Sequence, residues 1–111
     1  MSDCVFCKIV NKEINVNILY EDKQLLAFSD INPVSPLHLL IITKKHKTSI
    51  LEMTTAELAS LRLAIRKISE GTSILNAGFR LVNNFGKDGG QQVEHLHFHL
   101  LAGREHLWPP G

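Results

Sequence analysis

The chain has 111 residues, of which 44% are hydrophobic and 21% are charged. This length and composition are typical of one globular domain, residues 1–111, and argue against intrinsic disorder. Twelve basic and eleven acidic side chains leave a net charge of +1, which excludes the strong basic excess of most proteins that bind nucleic-acid polymers.

The sequence predicts a cytoplasmic protein without a membrane-spanning segment. The best apolar stretch, Leu37–Ile42, is far shorter than the roughly 18 residues that a membrane helix needs, and it contains a histidine. The N-terminus lacks the basic segment and apolar run of a signal peptide. In a reducing cytoplasm, Cys4 and Cys7 are expected to be metal ligands or free thiols rather than a disulfide.

The first half of the chain predicts a short helix and three strands. Val5 and Ile9 give the helix an apolar side, and Asp22–Gln24 suits a hairpin turn between the first two strands. Prolines at positions 33 and 36 place a loop before the third strand, which is dense in Leu and Ile. The predicted bounds are Cys4–Lys12 for the helix and Asn17–Glu21, Leu25–Asp30 and His38–Thr43 for the strands.

The second half predicts one long helix followed by two strands. Thr54 and Glu57 form a capping box at the start of the helix, and Gly71 stands where it should end. One apolar stripe has helical spacing: Leu58, Leu61, Ile65 and Ile68. The strands are expected at Phe79–Asn84 and Val93–Ala102. This order predicts an α+β fold in which helix covers one face of an antiparallel sheet.

Three histidines alternate with apolar residues in the last predicted strand. Because successive side chains of a strand point to opposite faces, His95, His97 and His99 share one face. Burying three imidazoles is costly unless their nitrogens find partners, so a functional role is expected. Two roles remain open at this point: a metal site, or nucleophilic and acid–base chemistry on a phosphate.

A glycine-rich run from Asn84 to Gln92 leads into these histidines. Glycine allows backbone amides to approach an anion closely, and the run also carries amide side chains. Most such loops are simple turns, but the position directly before the histidines favours a phosphate-binding loop.

The segment Gly89–Leu101 resembles the histidine triad motif, His-x-His-x-His followed by apolar residues. With Leu26–Ile31, Lys44–His46 and Trp108–Gly111, it resembles the histidine triad nucleotide-binding branch of that superfamily over nearly the whole chain. The resemblance implies a HIT-like fold with a five-stranded sheet, one long helix and one short helix. It also implies a homodimer in which the sheet continues across the interface and each C-terminal tail reaches the partner's active site.

The implied activity is hydrolysis of purine nucleoside phosphoramidates, with cleavage of the P–N bond of AMP-amine substrates and no cofactor for catalysis. His97 would be the nucleophile that forms a nucleotidyl-histidine, and His99 would stabilise charge on the α-phosphate. His95 would orient the site, and His38 would lie behind the nucleophile. Imidazole is a competent nucleophile at neutral pH, so the chemistry suits these residues.

The resemblance also implies contacts with the nucleotide. Asp30 would hold the ribose hydroxyls, and Phe28 and Ile31 would sandwich the purine. From the residues alone, Asp30 is equally a turn residue, and Phe28 and Ile31 are more often core residues. Gln92 stands where many relatives carry serine, which bears on the choice of leaving group. The implied nucleotide-binding residues are Phe28, Ser29, Asp30, Ile31, Asn84, Gly90, Gln91, Gln92 and Trp108.

Two cysteines and two histidines, Cys4, Cys7, His46 and His95, resemble the zinc site of some bacterial-type histidine triad proteins. These ligand types suit a closed tetrahedral structural site. Such a zinc would tie the N-terminal helix to the sheet without taking part in the chemistry. The alternative is two buried or idle thiols.

Three other functions remain open. They are a dinucleoside polyphosphate hydrolase of the same superfamily, a zinc-containing nucleotide-binding or interaction module with little turnover, and a metal carrier. The Trp108–Gly111 tail argues against the first, and the intact triad argues against the second because a binding module needs no nucleophile. Expected partners are purine nucleoside monophosphates, their phosphoramidates and a second copy of the chain, but neither a nucleic-acid polymer nor a membrane.

Overall fold

A five-stranded antiparallel sheet carries two helices in the computed structural model of this chain, which describes residues 3–111. Met1 and Ser2 lie outside the described residues. They are the first two residues of the N-terminal segment in which no signal peptide is expected. Among the described residues, every helix is too short or too polar to cross a bilayer. The elements are α1 (Val5–Val10), β1 (Ile18–Glu21), β2 (Leu25–Ser29), β3 (Leu37–Thr43), α2 (Thr55–Glu70), β4 (Phe79–Val82) and β5 (His97–Ala102).

The sheet places three histidines on one of its faces. Its strand order is β1-β2-β3-β5-β4, so β3 is central and pairs with β5. In this antiparallel pair, Leu40 lies opposite His99 and Leu101 lies opposite His38. Residues that are directly opposite share a face, so His38 joins His97 and His99 on the same side of the sheet.

Helix α2 covers the other face of the sheet. It begins with the predicted capping box, in which Thr54 and Glu57 exchange side-chain-to-backbone hydrogen bonds of 3.1 and 2.8 Å. Buried residues of the helix and of alternate strand positions form most of the core there, as their periodicity predicts, and Leu75 and Leu96 join it from outside these elements. The core residues are Leu25, Ala27, Leu39, Ile41, Leu61, Ala64, Ile68, Leu75, Leu96, Phe98, Leu100 and Ala102.

The prediction that Leu58 belongs to the buried apolar stripe of α2 is wrong. Leu58 is 48% exposed, whereas Glu57 is only 1% exposed. The Glu57 carboxylate caps the helix and binds the Lys47 ammonium at 2.8 Å. Burial raises the pKa of Glu57, but the hydrogen bonds from Lys47 and the Thr54 backbone outweigh burial and hold the pKa below its usual value. A buried carboxylate is tolerated here because a cation and a helix N-terminus both compensate its charge.

The short helix α1 packs on the histidine face, so helices cover both faces of the sheet rather than the one predicted. Cys4 caps it, since its Sγ accepts from the backbone N–H of Cys7 at 3.3 Å. The helix is shorter than the predicted Cys4–Lys12, and Lys12 has a φ of 64°, outside the helical region. Two α1 residues complete a second core cluster: Phe6, Ile9, Leu26, Phe28, Leu40 and Ile42.

The last strand begins later than predicted. Instead of Val93–Ala102, it starts at His97, because residues 93–95 form a bend. The amide of His95 donates to the Val93 carbonyl, and that of Leu96 donates to the carbonyl of Lys47 in the β3–α2 connection. Strand β4 also ends two residues early, at Val82, and the Asn83 side chain donates to the His97 carbonyl at 3.0 Å. His95 therefore lies just before the strand, where its backbone is available for other contacts.

Candidate active site

Three histidines and one aspartate meet where β2 ends beside β3 and β5. His38 and His97 are buried, and His99 is half-buried. The ring centroids of His97 and His99 lie 5.2 Å apart, as do those of His38 and His99. A carboxylate oxygen of Asp30 lies 3.3 Å from Nε2 of His38. The structure thus brings three of the four predicted catalytic histidines together with the predicted ribose-binding residue.

One hydrogen bond determines which nitrogen of His97 is available for chemistry. Nδ1 of His97 lies 2.7 Å from the backbone carbonyl of His95. Since a carbonyl oxygen only accepts, Nδ1 carries a proton and donates it to this bond. In the neutral ring Nε2 then holds a lone pair, which a nucleophile requires.

A chain of hydrogen bonds gives His38 and His99 the opposite tautomer. The backbone N–H of Val34 donates to Nδ1 of His38 at 3.1 Å, so neutral His38 carries its proton on Nε2. That N–H donates to Nδ1 of His99 at 2.9 Å, with Asp30 as a second acceptor. His99 in turn carries its proton on Nε2, as a hydrogen-bond donor for an anion.

Burial favours the neutral form of both rings. It lowers the pKa of His38, against the opposing effect of Asp30. The pKa of His99 is lowered first by burial and then by His97 and His38 beside it. The site therefore offers a lone pair on His97 and a neighbouring N–H on His99, a combination suited to attack on a phosphorus and stabilisation of its oxygens.

The ligand atoms of Asp30, His38 and His99 lie within 4.8 Å of one another, a spacing that could also suit a metal ion. The hydrogen bonds point instead to proton sharing. Because Val34 donates to Nδ1 of His38, Nε2 of that ring carries a proton and lacks a lone pair for a cation.

A second cluster has the donor set of a metal site. The sulfurs of Cys4 and Cys7 and the Nδ1 atoms of His46 and His95 all lie within 4.8 Å of one another. Nδ1 of His95 is 3.2 Å from the Cys4 sulfur and 3.6 Å from the Cys7 sulfur, which is itself 3.3 Å from Nδ1 of His46. Tetrahedral zinc with ordinary Zn–S and Zn–N distances separates its sulfur and nitrogen ligands by about 3.6 Å. The cluster therefore fits a tetrahedral metal ion.

The tautomer of His95 also fits metal binding. Its Nε2 lies 2.7 Å from the carbonyl of Thr43, so Nε2 donates and Nδ1 keeps a lone pair beside both thiols. Metal-bound histidines commonly make this outer hydrogen bond. Burial, together with the adjacent Cys4, raises the pKa of the Cys7 thiol, an effect that a bound cation would reverse.

Phe6 lies between the two clusters. Its ring centroid is 5.7 Å from that of His95 and 5.1 Å from that of His97, edge-on in both cases. His95 itself links the clusters, since its Nδ1 belongs to the cysteine cluster and its carbonyl holds His97. A change at the cysteine cluster can therefore reach His97 through a single residue.

The glycine-rich loop is shaped by its own amide side chains. Asn84 donates to the Gly89 carbonyl at 2.7 Å, across the loop. Gly90 has a φ of +76°, a conformation that side-chain-bearing residues rarely adopt, and Gln92 is exposed.

Both the oxygen and the nitrogen of the Gln91 side-chain amide make hydrogen bonds within the protein. Its Oε1 accepts from the Gly86 backbone at 2.9 Å, and its Nε2 donates to the carbonyls of Thr48 and Val93 at 3.2 and 3.1 Å. Gln91 therefore holds the base of the loop against the β3–α2 connection, and its contribution to a ligand would be indirect.

Four of the residues expected to bind the nucleotide differ in exposure. Phe28 is 3% exposed and lies edge-on against Phe6, with centroids 6.0 Å apart. Ile31 is 89% exposed and Trp108 is 82% exposed. Ser29 is half-buried and accepts from the Asn17 side chain at 3.3 Å. Of these four residues, Ile31 and Trp108 present their apolar side chains directly to a ligand or partner.

Sequence reasoning missed the backbone groups that set the tautomers. These are the N–H of Val34 and the carbonyls of Thr43 and His95. Every residue has such groups, so no side-chain pattern signals them. Only the fold shows which of them face an imidazole.

Comparisons with known proteins identify the family of this chain. Residues 11–106 match the HIT domain family. The chain is 45% identical to an uncharacterized HIT-like protein of Synechococcus elongatus, with 98% of this chain and 97% of that protein covered. It is 40% identical to the protein HitA of Neisseria gonorrhoeae, with 92% and 97% covered.

Solved structures share the fold. A HIT family hydrolase from Legionella pneumophila superposes with a TM-score of 0.88 at 44% identity. The superposition covers 98% of this chain and 100% of that chain. A histidine triad nucleotide-binding protein from Candida albicans superposes with a TM-score of 0.85 at 29% identity, covering 94% and 77%. Because the family model spans most of the chain and these relatives cover nearly all of it, this chain belongs to the HIT domain family.

Proposed function

We propose that this protein hydrolyses purine nucleoside phosphoramidates, cleaving the P–N bond of AMP-amine substrates as a member of the histidine triad nucleotide-binding branch. The observation that carries the proposal is the 2.7 Å hydrogen bond from Nδ1 of His97 to the His95 carbonyl. Because the proton of His97 is on Nδ1, its Nε2 keeps a lone pair next to the ring of His99, which supplies an N–H donor. The Legionella relative is named a hydrolase and the Candida relative a nucleotide-binding protein, which supports the same class for this chain.

The proposed reaction has two displacement steps at one phosphorus. In the first, Nε2 of His97 bonds to the phosphorus as the P–N bond breaks, and the departing amine takes up a proton. The N–H of His99 donates to a phosphoryl oxygen and stabilises its charge. In the second, water attacks the phosphorus, the Nε2–P bond breaks, and AMP leaves with release of the proton consumed earlier.

The nucleotide is proposed to lie along the end of β2 and the glycine-rich loop. Asp30 would accept hydrogen bonds from the ribose hydroxyls, and Ile31 would offer its exposed side chain to the purine. Phe28 is buried, so a contact between its ring and the base requires that the neighbouring side chains move when the base binds. Ser29 and Asn84 would hold the ends of these segments, with Gly90, Gln91 and Gln92 forming or supporting the phosphate loop.

A structural zinc at the cysteine cluster completes the proposal. Cys4, Cys7, His46 and His95 would hold it and thereby join α1 to the sheet, and no catalytic step is assigned to it. The clustered thiols with a correctly oriented imidazole support this assignment over idle thiols.

A homodimer is also proposed. Strand β4 is an edge of the sheet, and its residues Phe79 and Leu81, on the same face as α2, are 48% and 38% exposed. Pairing of two β4 edges would continue the sheet and cover this apolar surface. Trp108, 82% exposed, would then be available to the partner's active site.

The test is hydrolysis of an AMP-amine phosphoramidate by the purified protein in EDTA. We expect turnover in the presence of EDTA, and slower cleavage of a dinucleoside polyphosphate at the same concentration. Faster cleavage of the dinucleoside polyphosphate would favour the related branch of the superfamily. Absence of turnover on both substrates would contradict an enzymatic role.

Replacing Asp30 with alanine is expected to weaken AMP binding by about tenfold to a hundredfold, since hydrogen bonds to a charged group contribute roughly 1.5–3 kcal/mol each. Isothermal titration with AMP and with its dideoxy analogue measures this change. The wild type should bind the dideoxy analogue more weakly than AMP, whereas the variant should bind both alike. An equal loss of affinity for both nucleotides would show that Asp30 acts elsewhere than at the ribose.

A further inference from the structure

The C-terminal tail, residues 103–111, makes hydrogen bonds to the loop that precedes β3, residues 30–36. After β5, the Arg104 guanidinium donates from Nε to the carbonyl of Val34 at 3.1 Å. Two residues later, Nε2 of His106 lies 2.9 Å from the hydroxyl of Ser35, which is buried. Two consecutive loop residues are therefore held by the tail.

The chain between β5 and Arg104 passes very close to the same loop. Gly103 has a φ of +94°, and a Cβ at this position would lie 2.7 Å from the side chain of Pro36. Only glycine permits this approach without displacing the loop. Arg104 is thus placed against the loop by the backbone as well as by its own hydrogen bond.

The residue that Arg104 holds is the one that sets the tautomer of His38. Val34 accepts from Arg104 through its carbonyl and donates to Nδ1 of His38 through its N–H. Loss of the hydrogen bond from the Val34 N–H would allow His38 to adopt the tautomer that carries its proton on Nδ1. Nε2 of His38 would then lack a proton to donate to His99, and His99 would no longer be required to present an N–H to the phosphate.

We infer that Arg104 is a positioning residue for catalysis, which acts through Val34 and His38 to keep His99 in the tautomer that donates to the phosphate. A guanidinium suits this role because its hydrogen bond to a carbonyl is charge-assisted and its planar group is rigid. The kinetic part of this inference rests on the proposed function, whereas the tautomers can be measured without any substrate.

Arg80 provides a matched control. It is a second arginine that binds the tail, with hydrogen bonds to the carbonyls of His106 and Leu107 at 3.3 and 2.9 Å. Among the described residues, its side-chain hydrogen bonds go to the tail and none to Val34. Arg80→Gln therefore weakens tail anchoring and leaves the contact between Arg104 and Val34 in place.

The experiment is imidazole nitrogen NMR of the ligand-free protein, which distinguishes protonated from unprotonated ring nitrogens. In the wild type and in Arg80→Gln, we expect His38 and His99 each to carry the proton on Nε2. Arg104→Gln should show a mixture of tautomers at both rings, and Arg104→Lys, which keeps a cationic donor, should restore most of the Nε2 form.

Turnover is the second readout. Arg104→Gln is expected to lower kcat on an AMP-amine phosphoramidate by about tenfold with little change in KM, whereas Arg80→Gln should stay within about threefold of the wild type. Wild-type tautomers in Arg104→Gln, or equal effects of the two glutamine variants, would overturn the inference. A wild-type protein without turnover, but with the expected tautomers, would instead count against the proposed function alone.

Discussion

Replacing His97 with alanine is expected to lower turnover of an AMP-amine phosphoramidate by at least about a thousandfold, because the proposed covalent step has no other nucleophile in position. The affinity for AMP should change by less than about tenfold, since the proposed ribose and base contacts lie on other residues. The His97 ring is 5% exposed and packs against Phe6, so the alanine variant also loses packing. A His97→Gln variant retains a polar side chain at this position and separates that loss from the loss of the nucleophile.

Mass spectrometry of the acid-quenched reaction provides the direct readout. The wild type mixed with substrate should gain the mass of one adenylyl group, and peptide mapping should place the group on His97. Both His97 variants should lack the added mass while still binding AMP. An adenylyl group found on another residue, or turnover retained by His97→Gln, would contradict the assignment of the nucleophile.

The sequence predicted that His97 and His99 share one face because that information lies in side-chain periodicity, whereas the proposed roles of these residues come from the family resemblance. Alternation placed His97 and His99 opposite the apolar residues Phe98 and Leu100, and the structure has them on opposite faces of β5. The predicted bounds of β1, β2 and β3 differ from those observed by one residue each. A strand with one buried apolar face tolerates no other register, which is why such patterns are reliable.

The remaining features depend on contacts between segments that are distant in the chain. Glu57 reads as a polar capping residue, yet it is buried because Lys47, ten residues earlier, reaches its carboxylate. His95 reads as a strand residue, but the carbonyl of Thr43 and the thiol of Cys4 hold its ring in a bend. Pairings of this kind are set by tertiary structure and leave no local pattern.

Replacing Cys7 with serine is expected to remove zinc from the protein and to lower its melting temperature by about 15 °C. A ligand present at a thousand times its dissociation constant stabilises the folded state by about 4 kcal/mol, and each kcal/mol corresponds to about 4 °C in a domain of this size. Cys7 lies in α1, so the loss of its proposed bond to zinc would detach the helix from His46 and His95. Differential scanning calorimetry with elemental analysis measures both changes.

The comparison of zinc-loaded with zinc-stripped protein separates the metal from the packing of Cys7. The stripped wild type and stripped Cys7→Ser should melt within a few degrees of each other, because serine differs from cysteine in a single atom, and zinc should restore only the wild type. Equal melting temperatures of loaded and stripped wild type would refute a structural metal.

The same variant tests how far the cysteine cluster influences catalysis. His95 contributes its Nδ1 to that cluster and its carbonyl to His97, so a loosened His95 weakens the bond that orients the nucleophile. We expect Cys7→Ser to lower kcat by about threefold to tenfold at a temperature where it remains folded, far less than the loss in His97→Ala. A loss as large as that of His97→Ala in the folded variant would mean that the metal takes part in the chemistry itself. Unchanged kcat would mean that strand β5 holds the nucleophile without help from His95.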